Sequence, residues 1–268
     1  MIFLGTLLFV LLIVILYRHK TWSALPWPVE AMQPPKYQGH RGYWIEGEQE
    51  NTLAAFRAAG RRGLQMVEMD VRLSVDQVPI VFHDEDLKRI GNSPQDKVST
   101  LTAQQMLQKV KAPSLGDVLQ DSEVPSFLNI ELKTVEFWSG ALEKQVAAVV
   151  RRHHAEKRVL ISSFNPLALW RMSRHLPEVP RALLASKTKE PVNRFYLRHL
   201  FLAPYVRIHA LHLDHIYVNH KEMADWSRRK VPVSLWTVND PERAGELLRA
   251  GALSIISDRL PLNEESAP

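Results

Sequence analysis

The chain has 268 residues, 46% hydrophobic and 24% charged, with 34 basic against 29 acidic side chains and a formal charge of +5. That composition is globular and excludes disorder and collagen-like structure, while the absence of cysteine excludes a disulfide scaffold, a thiolate zinc site and a cysteine nucleophile. So small a positive excess, part of it carried by Arg18 and Lys20 beside the first segment, argues against nucleic acid as a partner.

Met1 to Tyr17 reads MIFLGTLLFVLLIVILY, without charge, and is followed at once by Arg18, His19 and Lys20. As a helix it rises roughly 25 Å, near the lower limit for crossing a hydrocarbon core of about 30 Å. Tyr17, Trp22 and Trp27 stand where an interfacial aromatic belt would lie. The run therefore predicts an N-terminal transmembrane anchor over residues 1–20. A cleaved signal peptide fits less well, because no basic segment precedes the run and tryptophan and proline surround the nearest cleavage-like step, Ser23-Ala24. Charges that follow the run lean the rest of the chain toward the cytoplasm. Residues 21–36 contain Pro26, Pro28, Pro34 and Pro35 and predict a short, stiff, extended tether. Residues 37–268, about 232 in number, suit one compact domain.

Within that domain β-branched runs alternate with helix-like stretches. Tyr37–Gly42, Met66–Leu73, Val78–His83, Phe127–Leu132, Val159–Ser163, Ala182–Ala185, Leu211–Leu213, Val233–Val238 and Leu253–Ser257 read as strands. Leu53, Phe56 and Leu64, then Leu142, Val146 and Val149, mark helices between them. Asn51 or Thr52 can cap the first of these, and Pro241 suits the first turn of the last. The alternation predicts a parallel sheet closed as a (β/α)8 TIM barrel. The surplus strand is explained locally: only Ser74-Val75-Asp76-Gln77 separates Met66–Leu73 from Val78–His83, too short for a crossover helix. Those two should form a hairpin, which brings His83 beside Glu68.

Chemistry concentrates at strand ends. His40-Arg41-Gly42 closes the first strand with a proton carrier and a planar anion-binding fork. Glu68 and Asp70, two apart in a strand, share a face and can grip one hard cation. Asn129, Glu131 and Lys133 repeat the spacing. Charges facing inward from runs such as MVEMDVRL and FLNIELK would each cost several kcal/mol in desolvation without a cation or partner. A carboxylate cluster, two histidines and two phosphate-binding cations together suit phosphoryl transfer.

The series His40-Arg41-Gly42, Glu50-Asn51-Thr52-x-x-x-Phe56, Glu68-x-Asp70-Val71, Asp76, and Val81-x-His83-Asp84-x-x-Leu87-x-Arg89 resembles the glycerophosphodiester phosphodiesterase family. The likeness continues through Pro113-Ser114-Leu115, Asn129-x-Glu131-Leu132-Lys133, Ser162-Ser163-Phe164-Asn165-Pro166 and Trp236-Thr237-Val238-Asn239, in order from position 38 to 258. Gln49 and Gln77 depart from the family's usual proline and glycine, away from the chemistry, and no sizeable insert lies between His83 and Glu131. The resemblance implies a TIM-barrel phosphodiesterase that splits glycerophosphodiesters into sn-glycerol 3-phosphate and an alcohol. It implies that Glu68, Asp70 and Glu131 hold one divalent cation, magnesium or calcium, and that His40 and His83 are the general acid/base pair. Arg41 and Lys133 would neutralise the phosphate oxygens, and Trp236 would wall the pocket. The hairpin leaves His83 two roles, proton transfer or metal ligation. The predicted anchor motivates an alternative substrate, a membrane lysophospholipid cleaved as a lysophospholipase D would cleave it.

Other features read as structural. His209, His212, His215 and His220 have no spacing that suits a zinc site, although their place around the seventh strand puts one within reach of a substrate. His153-His154 suits a helix C-terminus, Arg228-Arg229-Lys230 a solvated helix end, and Ser162-Ser163 lacks the glycine elbow of a serine hydrolase.

Overall fold

The computed structural model describes residues 2–134, 138–189 and 194–259, and the side chains of residues 2–4 and 8 lie outside that description. Helix α1 (Ile2–Thr21) comes first, and the domain begins at strand β1 (Tyr37–Gly39). Eight parallel strands close a barrel. They are β1, β2 (Met66–Leu73), β6 (Phe127–Leu132), β7 (Val159–Ser163), β8 (Arg181–Ala185), β9 (Ala210–Asp214), β10 (Val233–Trp236) and β11 (Ser254–Ser257), with β1 paired to both β11 and β2. Between strands run α2 (Leu53–Arg61), α6 (Ala141–Arg152), α7 (Pro166–His175), α8 (Phe195–Arg198), α9 (His220–Arg228) and α10 (Pro241–Arg249). Thr52, not Asn51, caps α2, and Pro241 occupies the first turn of α10 behind the Asp240 cap.

The predicted hairpin is present. Strand β3 (Pro79–Val81) runs antiparallel to β2 in the register Val71↔Val81 and Leu73↔Pro79. Beyond it the chain builds a layer that the sequence pattern does not announce: β4 (Asp86–Leu87) pairs with β5 (Ser93–Lys97), flanked by α3 (Lys88–Gly91) and α4 (Ala103–Val110). Ile80, Phe82, Leu87, Val98, Leu101 and Met106 give this layer its own apolar core before α5 (Leu115–Gln120) returns to the barrel wall. The first strand stops at Gly39, short of the predicted Gly42, because Arg41 (φ 57°) and Gly42 (φ 89°) turn the chain away from the sheet. A Cβ at Gly42 would lie 2.8 Å from the Ala55 backbone, so this turn needs glycine to let α2 pack close.

The N-terminal end of the barrel, its floor, is sealed by the proline-rich segment. Met32 is buried with Met66, Leu160, Ala182 and Ala210, the opening residues of their strands or close to them, and Trp27, Phe127 and Leu253 pack around that group. Leu25 N–H donates to the Ile208 carbonyl at 2.8 Å, and the Ser254 hydroxyl to the Pro35 carbonyl at 2.6 Å. The end of α1 docks at this same floor. The Arg229 guanidinium lies 5.0 Å from the Trp22 ring centre and 4.7 Å from that of Trp226, and donates to the carbonyls of His19 and Trp22. Arg229 is thus a docking residue and not the solvated helix end that the charge run suggests.

Among the described residues, no helix is long and apolar enough to cross a membrane. The transmembrane anchor expected over residues 1–20 therefore has no support from the described helices. The apolar run ends at Tyr17, since Arg18 donates to the Pro204 carbonyl and Arg229 holds the carbonyl of His19.

Candidate active site

At the opposite, C-terminal end of the strands a cavity of about 350 Å³ opens among His40, Arg41, Glu68, His83, Glu131, Lys133 and Trp236. This is the end at which barrels of this architecture carry their chemistry. All eight site residues expected from the sequence line this cavity or, in the case of Asp70, sit buried directly beneath it in contact with residues that do.

Glu68 and Asp70 alternate with Val67, Met69 and Val71 along β2, so both carboxylates point inward while the apolar residues face the helices. Asp70 stands in register with Glu131 on β6. Oxygen atoms of Glu68, Asp70 and Glu131 all lie within 4.8 Å of one another, and all three residues are buried. His83 does not belong to that group; its Nδ1 donates instead to Asp84 at 2.7 Å. Asn51 fixes Asp70 from two sides, donating from Nδ2 to Oδ2 at 2.8 Å and accepting from the Asp70 N–H at 3.2 Å. Arg41 N–H donates to Glu68 Oε2 at 3.1 Å, and its guanidinium pairs with Asp70 at 3.2 Å and Glu50 at 2.9 Å. Lys133 Nζ pairs with Asp70 at 3.0 Å and Glu131 at 2.6 Å.

These charges sort by neighbour. Burial would raise the Asp70 carboxyl, but Lys133 and Arg41 hold it far below the ordinary range, so it stays ionised. Burial, followed by the charges of Asp70 and Glu131, pushes Glu68 well above the ordinary range. Glu131 rises for the same leading reason, burial, with Lys133 opposing. One oxygen of Glu68, Oε1, is buried without a hydrogen-bond partner. An orphaned buried acceptor between two further carboxylates fits a hard divalent cation with oxygen ligands, which would supply the missing positive charge.

Each histidine is held by a carboxylate and by its own backbone. His40 N–H donates to the Ser257 carbonyl at 2.8 Å, its Nδ1 donates to Asp258 Oδ1 at 2.7 Å, and the Trp44 indole donates to its carbonyl at 3.2 Å. Asn239 completes the clamp, donating from Nδ2 to Asp258 Oδ2 at 2.7 Å while accepting from the Asp258 N–H. His83 follows β3; its carbonyl accepts from Arg72 Nε at 2.8 Å. With both Nδ1 atoms engaged, each ring leaves Nε2 for a substrate. Burial pushes the His83 imidazole below its usual value, with the Asp70 charge opposing. Arg89 ties this side together, bridging Glu50 at 2.6 Å and Asp84 at 2.7 Å.

Trp236 and Phe164 meet edge to face with ring centres 5.7 Å apart and form an apolar wall. Among the four histidines near β9, only His212 reaches the cavity. His209 accepts at Nδ1 from the Arg181 N–H at 3.0 Å near the floor. Asp258 and the anchoring role of Asn51 are the functional positions that sequence reasoning missed. Asp84, Arg89 and Asn239 are in the motif series but carry no assigned role there.

The fold and site agree with known proteins. The glycerophosphoryl diester phosphodiesterase family matches residues 38–262. An uncharacterised protein of Bacillus subtilis is 31% identical over 83% of this chain and 94% of its own length. A glycerophosphodiester phosphodiesterase of Caldanaerobacter subterraneus is 25% identical over 78% of this chain and 88% of its own. Among solved structures, an Oleispira antarctica phosphodiesterase in complex with the product sn-glycerol-3-phosphate superposes with a TM-score of 0.70 at 27% identity, covering 87% of this chain and 96% of that one.

Proposed function

Because the chain belongs to the glycerophosphoryl diester phosphodiesterase family, we propose that it hydrolyses glycerophosphodiesters to sn-glycerol 3-phosphate and an alcohol. The observation that carries this reading is the convergence, in one cavity, of the three carboxylates Glu68, Asp70 and Glu131 with two carboxylate-held histidines and two cations. The product found in the Oleispira relative is the expected one.

A phosphodiester is a monoanion that resists attack, so the site must neutralise it and manage two protons. Arg41 and Lys133 stand beside the carboxylate cluster and bind the non-bridging oxygens. A divalent cation, magnesium or calcium, held by Glu68, Asp70 and Glu131 would withdraw further charge from the phosphorus. His83, kept neutral by burial, takes the proton of the attacking oxygen. His40 gives a proton to the departing alkoxide, and Asp258 holds its Nδ1 so that Nε2 faces the cleaved bond. Trp236 and Phe164 wall the reacting centre.

Dissolved headgroup diesters are favoured over lysophospholipids because α1 docks at the floor while the cavity opens at the other end. The test is an assay of headgroup alcohol release, choline or ethanolamine, by the purified full-length protein. Glycerophosphocholine, glycerophosphoethanolamine and lysophosphatidylcholine are each supplied with magnesium, calcium or chelator. Metal-dependent release from the first two supports the reading; no release from either overturns it, and preference for the lysolipid transfers it to a lysophospholipase D.

A further inference from the structure

His212, on β9, lines the closed end of the cavity and takes no part in the proton transfers above. It is fully buried, and neither Nδ1 nor Nε2 has a hydrogen-bond partner. Among the described residues it is the one side chain with two such atoms. Four other polar residues of the lumen form a chain: Ser162 donates to Asn129 at 2.9 Å, Asn129 to Gln38 at 3.1 Å, and Gln38 to Ser254 at 3.0 Å. Ser234 neighbours His212 in strand register but bonds to nothing itself.

The position adds to the chemistry. In the ring of strands β9 stands directly across from β2, which carries Glu68 and Asp70, while Arg41 and Lys133 follow the two strands that flank β2. Phosphate therefore belongs to the far wall. A neutral imidazole offers one donor and one acceptor. Its best-matched partner is a hydroxyl, which also does both, and not a phosphate oxygen, which only accepts. The sealed floor below admits only a group of constant size, whereas the variable alcohol must face the mouth.

We propose that His212 is the specificity-determining contact for the glycerol end of the diester, donating to one of its free hydroxyls and accepting from the other. This rests on the phosphodiesterase reading above. The Trp236 indole, which donates to the His212 carbonyl at 3.1 Å, fixes the residue beneath the apolar wall.

The experiment compares kcat/KM of the full-length protein for glycerophosphocholine and for propyl phosphocholine, the same diester without the two hydroxyls. The wild type should prefer the glyceryl diester. His212→Leu should lower its kcat/KM about 10- to 100-fold, as loss of two hydrogen bonds would, while propyl phosphocholine stays within about threefold. His212→Gln, which keeps a donor and an acceptor, should retain most of the preference and guards against a leucine variant that does not fold. Calorimetric titration with sn-glycerol 3-phosphate should show the same loss of binding in His212→Leu. An unchanged ratio between the two diesters, as expected if only water satisfies the ring, or an equal loss on both, overturns the proposal while leaving the activity in place. Absence of any cleavage by the wild type overturns the activity itself.

Discussion

Asp258, just past the last barrel strand, accepts a hydrogen bond at 2.7 Å from the Nδ1 of His40, just past the first, across 218 positions of sequence. The pairing follows from closure: β11 lies beside β1, and His40 N–H is itself bonded to the Ser257 carbonyl. Asp258→Asn keeps the shape and removes the charge that fixes the ring. We expect kcat to fall by about 10²-fold or more with KM changed little, since general acid–base help is worth about 10²–10⁴-fold. Equal changes in kcat and KM would place Asp258 in binding instead.

His40→Ala and His83→Ala should each cost about 10²–10⁴-fold in kcat. Burial lowers the His83 imidazole, so its neutral form persists below pH 6.5. The acidic limb of the kcat/KM profile should therefore have its midpoint under pH 6.5. A midpoint at or above that value excludes His83 as the base.

Cation binding should stabilise the fold, because Glu68, Asp70 and Glu131 are buried together and Glu68 Oε1 lacks a partner. At a hundred times its Kd a bound ion contributes about 2.7 kcal/mol, or about 5–10 °C in Tm for a barrel of this size. Thermal unfolding with magnesium, calcium or chelator measures it, and Glu68→Gln should lose more than half of the shift. The same shift in wild type and variant would remove the metal from this cluster.

Two buried histidines make the fold acid-sensitive. Burial pushes His209 down to about 4 and His212 to about 3. Both are neutral in the folded chain and take up protons on unfolding below pH 6.5, so stability is lost as pH falls from about 6.5 toward those values. His209→Gln, whose amide oxygen can still accept from the Arg181 N–H, should reduce the loss between pH 7 and pH 5 by about 2 kcal/mol in urea unfolding. An unaltered loss would mean that His209 is already charged in the native state.

The residues that the chemistry uses were legible because they sit on strands with inward carboxylates and at strand ends, where local period and motif spacing speak directly. Even the extra strand resolved itself, since a four-residue link permits only a hairpin. Partnerships across the barrel were not legible. Asp258 finds His40 only after the ring closes, and Asn51 could cap α2 or hold Asp70 on equal local evidence until Thr52 takes the cap. The β4–β5 layer stayed hidden because Ser93–Lys97 reads SPQDK, with no β-branched or aromatic residue to mark a strand. The docking of the last turn of α1 through Arg229 and two tryptophans was not legible either, because it depends on partners some 200 positions away.

Among the described residues, the plug formed by Met32 and its neighbours closes the floor and leaves the barrel open at its C-terminal end. Reactant and both products share that opening. With the glycerol end innermost, as proposed for His212, glycerol phosphate would depart after the alcohol ahead of it. Glycerol 3-phosphate should then rival the substrate for the empty enzyme, and the free alcohol should not. A chain with the floor opened by Met32→Gly would lose that sequence of release before it lost the chemistry.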